Sequence, residues 1–143
     1  MNPHELKVFF NSVRSKHFAY RAALRREYEI RVSISGANTK HFSDLPPLER
    51  CGNGTENKYL RLLSFSEKTG RARREMLSAV ADAAVLIAVL DDPAEYRVMK
   101  FRYIDFMKWD EISRAMNYSE RQVRRINSRA IIHIAEKMSV SGS

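Results

Sequence analysis

Leu6, Phe10, Val13, His17, Tyr20 and Leu24 recur at alternating spacings of four and three, which places them along one stripe of a long helix. Asn2-Pro3-His4-Glu5 has the chemistry of its start. Asn2 caps, Pro3 takes the first helical position, where a missing N–H costs nothing, and Glu5 reaches back to the cap. The pattern predicts a helix from about His4 to Ile34. Ile30, Val32 and Ile34 alternate like a strand, but with no strand to pair with they read as a fraying helix end. The opposite face carries Arg14, Lys16, Arg21, Arg25 and Arg26 and reads first as a solvated surface, and second, for a minority of them, as contacts to a nucleic-acid backbone.

From Ser35 to Glu56 the periodicity gives way to breaker chemistry, Ser35-Gly36-Ala37-Asn38, Asp44-Leu45-Pro46-Pro47 and Cys51-Gly52-Asn53-Gly54, which predicts a linker. A second long helix is predicted from about Thr55 to Leu90. Met76, Val80, Ala83, Ile87 and Leu90 form its stripe, widened by Leu77 and Ala84. Gly70 marks a site for a kink or break, costing about 1 kcal/mol against Ala in a helix interior. The basic run Lys68-Thr69-Gly70-Arg71-Ala72-Arg73-Arg74 reads first as an exposed segment that keeps an apolar helix in solution, and second as a phosphate-contacting patch.

Asp91-Asp92-Pro93-Ala94-Glu95 repeats the start signal, with Asp92 as cap, Pro93 first and Glu95 closing a capping box. A helix to Ile104 follows, then a short amphipathic helix from Trp109 to Met116 with Trp109, Ile112, Ala115 and Met116 inward. Asn117 stands where a tight turn needs a residue that tolerates left-handed backbone angles, and Ser119 suits the next N-cap. This is the grammar of a helix-turn-helix. The last helix, Glu120 to about Lys137, turns Val123, Ile126, Ala130 and Ile134 inward and Arg121, Gln122, Arg124, Arg125, Ser128 and Arg129 outward.

Charge sharpens this picture. The 143 residues carry 25 Lys+Arg against 17 Asp+Glu, a formal charge of +8, which favours polyanionic partners. From Ser119 to Ala135 the formal charge is +3, so the bias falls where a groove-reading helix needs it. Arginine's planar fork donates two hydrogen bonds to guanine O6 and N7, and other arginines neutralise phosphate. With one cysteine, Cys51, no internal disulfide forms, and a reducing, cytoplasmic setting is expected. The first residues lack a basic segment followed by an apolar one, so no signal peptide is expected. Leu77 to Leu90 is shorter than the roughly 20 residues that cross a bilayer and contains Asp82, so no membrane partner is expected.

Phe101-Arg102-Tyr103-Ile104, Trp109-Asp110-Glu111-Ile112, Met116 through Ile126 and Arg129-Ala130 together resemble region four of bacterial sigma factors. They resemble more closely small phage and prophage regulators, of the autolysin-regulator and late-gene-activator kind, which carry that module behind two long helices. The match covers roughly Asp91 to Met138. The resemblance implies a DNA-binding transcriptional regulator in which Glu120, Arg121, Arg124 and Arg125 match base- and backbone-contacting positions, flanked by Gln122 and Ser128. Asn117 stands where the family more often has Gly, and Lys108 where it often has a capping Thr.

Enzymatic chemistry finds little footing. His4, His17, His41 and His133 are scattered without metal-ligand spacing, so no metal is assigned, and His17 is expected to be satisfied at an interface. Gly52-Asn53-Gly54 and Lys68-Thr69 lack the remainder of a dinucleotide or phosphate-loop motif, so no cofactor is assigned. Trp109 and its aromatic neighbours are expected in the core rather than stacked on bases. The expectation is an all-α protein. Residues 1–90 form a long-helix dimerisation region, a hairpin or dimeric bundle with a linker at about 35–56, and residues 91–143 a helix-turn-helix DNA-binding domain. Self-association is expected through the Met76 to Leu90 stripe, giving a homodimer on duplex DNA, with RNA polymerase as a further candidate partner. The site is Ser119, Glu120, Arg121, Gln122, Arg124, Arg125, Ser128 and Arg129. The rival classes are a phage assembly or DNA-packaging protein, of the small-terminase kind, and a helical adaptor for RNA polymerase.

Overall fold

A computed structural model of the protein describes residues 1–34 and 53–141, with side chains from 57 onward in the second stretch. The described residues form five helices and no strand: α1 (Pro3–Ile34), α2 (Asn53–Ile87), α3 (Pro93–Tyr103), α4 (Trp109–Met116) and α5 (Glu120–Ser141). Of the expected linker, residues 35–52 lie outside the described residues. Its last residues already belong to α2, which begins two residues earlier than expected, runs unbroken through Gly70 and ends at Ile87, short of Leu90. No described helix is long and apolar enough to cross a membrane.

Local chemistry accounts for the helix ends. At α1 the Glu5 N–H donates to Asn2 Oδ1 at 2.8 Å and the Asn2 N–H to Glu5 Oε2 at 3.2 Å, a reciprocal capping box. At α3 the box is half made. Asp92 Oδ1 accepts from the Ala94 N–H at 3.0 Å, but the Glu95 side chain turns inward, 2% exposed, and lies 2.8 Å from His133 Nδ1 of α5. A buried carboxylate gains more from a side-chain partner than from a solvated backbone N–H, so the tertiary contact prevails.

The chain divides into two compact units, residues 1–17 with 76–143, and residues 18–75. In the first, Leu6, Phe10 and Val13 of α1 share a core with Ala79, Ala83 and Ile87 of α2, Met99 and Tyr103 of α3, and Ala130, Ile131 and Ile134 of α5. A smaller core joins Val98, Ile112, Val123 and Ile126, with Trp109 and Met116 half-buried against it. The residues on either side of the boundary expected at 90 and 91 therefore share one core. The Met76 to Leu90 stripe is occupied within the chain, which removes it as the surface for self-association.

Three expected inward positions face outward. Leu77 is 49% exposed and Ala84 is exposed, whereas Ala79 is buried and Leu86 half-buried. A segment apolar on nearly every side has no face of its own, and α1 and α5 chose it. Ala115 of α4 is also exposed, because the core behind that helix is met by Ile112.

The second unit contains the later turns of α1 and the earlier turns of α2. Here Leu24 is 44% exposed, and Tyr20, Ala23, Glu27 and Ile30 take the inner positions. A four-three repeat averages 3.5 residues against 3.6 per helical turn, so the stripe drifts by about 20° per heptad. Glu27 is hydrogen-bonded to Arg31, and that bond is the chief reason its carboxylate sits below the usual range, with Thr69 and Ser66 of α2 lowering it further. Thr69, buried, returns its hydroxyl to the Phe65 carbonyl at 2.8 Å.

Candidate nucleic-acid interface

The interface begins with the turn that aims α5. Asn117 adopts φ 57° and ψ 39°, the left-handed conformation anticipated for it, and its N–H and that of Tyr118 both donate to the Ser113 carbonyl. The Ser113 hydroxyl holds the Tyr118 carbonyl from the other side. Ser119 Oγ then accepts from the Gln122 N–H at 3.1 Å, capping α5, with Glu120 in the first turn where the helix dipole favours an acid. Lys108, at the N-cap of α4, makes no side-chain cap bond.

Val123, Ile126, Ala130 and Ile134 are buried, and Asn127, Ile131 and Ala135 join them. This anchorage leaves Ser119, Glu120, Arg121, Gln122, Arg124, Arg125, Ser128 and Arg129 all exposed, and all but Ser119 line one open, shallow concavity together with Ile126. Seven of the eight residues expected at the site thus share one surface, and Ser119 is exposed at the N-cap of the same helix. Ser128 Oγ donates to the Arg124 carbonyl at 3.1 Å, so that hydroxyl partly serves its own helix.

The four arginines of this face are uncompensated. Among the described residues the ion pairs are Arg31 with Glu27, Arg114 with Asp110 and Lys137 with Asp91, beside the His133–Glu95 contact, and none includes Arg121, Arg124, Arg125 or Arg129. The face therefore presents guanidinium donors to solvent or to an external anion.

A second group of cations lies beside it: Arg124 of the expected site is joined by Arg102, given no role of its own from sequence, and by Arg14, expected on a solvated face but half-buried because its guanidinium bonds two carbonyls of the α3–α4 segment. The Arg102 guanidinium lies over the Trp109 ring, 4.0 Å from its centroid, and that of Arg124 lies 5.4 Å away. Arg102 Nη1 donates to the Met107 carbonyl at 3.2 Å; Arg14 Nη1 donates to the Arg102 carbonyl at 2.7 Å and to Met107 at 3.3 Å. Burial, then the nearby charge of Arg14, pushes Arg102 down to about 10. Burial also lowers Arg14. Arg102 and Trp109 both stand in the motif segments read from sequence, but their contact spans two helices and the loop between them, so no local pattern exposes it.

The same loop holds Phe106 at φ 57°, an unfavourable angle for an aromatic residue, with its ring stacked on His17 at 3.6 Å and an interplanar angle of 4°. His17 is half-buried there. No family model, curated protein or solved structure matches the chain.

Proposed function

We propose that the protein is a sequence-specific duplex-DNA-binding transcriptional regulator of the phage type, with α4, its turn and α5 acting as a sigma-region-four-like helix-turn-helix. One observation carries this reading: Arg121, Arg124, Arg125 and Arg129 stand exposed and without ion pairs along one face of α5, whose other face is anchored in the core. A helix about 10–12 Å across fits a major groove about 12 Å wide, and residues in its first turns reach base edges. The left-handed Asn117 and the Ser119 cap support it by giving α5 a defined start.

The test is binding of labelled duplex fragments selected from bacterial and phage genomic DNA, measured by anisotropy across a salt series. The logarithm of the affinity should fall linearly with the logarithm of salt concentration. Arg125→Ala should cost about 1–3 kcal/mol, about 5- to 150-fold in Kd, on a selected site. Affinity indifferent to both salt and this change would refute the reading.

Self-association remains part of the proposal, moved to another surface. In the second unit Leu24, Tyr28, Leu60 and Leu63 are all exposed, Tyr28 at 67%. A homodimer formed there would offer two recognition helices to half-sites about 34–36 Å apart. The same surface would serve an adaptor or assembly protein. A chain that binds no duplex yet forms a stable complex with RNA polymerase or a packaging protein would favour that class.

A further inference from the structure

Of the cations gathered by Trp109 and the Met107 carbonyl, only Arg124 has a part in the proposed function; Arg102 and Arg14 lie outside α5. Arg14 of α1, Arg102 of α3 and Arg124 of α5 converge on one indole and one carbonyl, and no ion pair among the described residues reaches Arg102 or Arg124. Arg102 Nε is buried without a hydrogen-bond partner. Like charges repel more strongly as water is excluded, so gathering Arg102 and Arg124 on one half-buried ring, with Arg14 on the carbonyl that Arg102 also bonds, costs free energy that stacking on the ring only partly offsets. An anion seated among them would reverse the sign of that balance.

The angular position of Arg124 points the same way. At about 100° per residue, Arg125 lies opposite the centre of the buried face of α5 and Arg121 and Arg129 within roughly 45° of that direction, whereas Arg124 lies about 100° to one side. That side is where Trp109 and Arg102 stand. A side chain at the rim of a groove-entering helix meets the sugar-phosphate backbone, and one at its crest meets base edges.

We propose that Arg102, Arg124 and Arg14 form the seat of one backbone phosphate, with Trp109 as its floor, so that Arg124 is a backbone contact and Arg121 and Arg125 are left to read bases. This rests on the duplex-DNA reading of α5 and adds two residues, Arg102 and Arg14, from outside the helix-turn-helix. The fork of each guanidinium suits a phosphodiester's two free oxygens, and the indole restrains two of the forks before DNA arrives.

Trp109 is the chain's only tryptophan, so its fluorescence reports on this seat alone. The experiment uses the full chain and a selected duplex. Saturating duplex should protect Trp109 from acrylamide quenching. Arg102→Gln, checked for folding by circular dichroism, should flatten the slope of log affinity against log salt by about 0.9, the release accompanying one phosphate, and keep the wild-type ranking of sequences. Arg125→Ala should instead degrade that ranking. Unchanged Trp109 quenching at saturation, or a folded Arg102→Gln with the wild-type slope, would overturn the seat and leave the DNA reading standing. A wild-type chain that binds no duplex would overturn both. Should Arg102→Gln fail to fold, the wild-type quenching result decides.

Discussion

Replacing Phe10 with Ala tests whether the three C-terminal helices depend on the long ones. Phe10 is fully buried, its ring 4.8 Å from that of Tyr103 in α3 and 5.4 Å from that of Phe9. Losing a buried aromatic side chain removes on the order of 2–3 kcal/mol of transfer free energy. The aromatic contact adds about 0.5–1.5 kcal/mol, and the cavity brings the total to about 3–5 kcal/mol. For a chain of this size that lowers Tm by roughly 10–20 °C. The informative assay is urea denaturation followed by Trp109 fluorescence and by far-ultraviolet circular dichroism. Trp109 packs on the smaller core, away from Phe10, but α3 and α5 contribute to both cores. Both probes should therefore shift together in Phe10→Ala, while Val8→Ala, at an exposed position, stays within about 0.5 kcal/mol of wild type. A Trp109 transition that ignores Phe10→Ala would show that the C-terminal helices stand alone and would refute the shared core.

Three further outcomes follow from the same structure. Gly70→Ala should stabilise the chain by about 0.5–1 kcal/mol in thermal denaturation, because the added Cβ meets nothing nearer than Arg74 Nη1 at 3.5 Å inside an unbroken helix. Asn117→Gly should be neutral or mildly stabilising and Asn117→Val destabilising by about 1–2 kcal/mol, since only the β-branched side chain resists the left-handed conformation; equal effects would count against the turn. Burial raises the Tyr103 phenol above its ordinary value, opposed by its bond to Asn127 and by Arg102 and Arg14. Its folded pKa thus exceeds the unfolded value near 10, so its contribution is complete below pH 10 and lost as pH rises through the folded value. Urea midpoints should place Tyr103→Phe below wild type at pH 8 and closer to it at pH 11; a constant gap would exclude Tyr103 as the source.

Much of this protein is written locally. Short-range rules foretold the α1 capping box, the bounds of α4, the left-handed Asn117, the Ser119 cap and the buried stripe of α5, because each depends on residues within a turn or two of one another. The exposed arginine face followed from the same stripe, as the remainder of an amphipathic helix. What lay beyond reach needed partners distant in the chain. Glu95 left its own cap for His133, 38 residues on, and the apolar run around Leu77 and Ala84 took its inward face from α1 and α5. Periodicity says that a helix has a face to bury but not which neighbour will cover it, so only the tertiary structure drew α1 and α2 into the core of the C-terminal helices. It alone brought Arg102 and Arg124 to one indole and Arg14 and Arg102 to one carbonyl, since a contact among three helices leaves no trace in the spacing along any one of them.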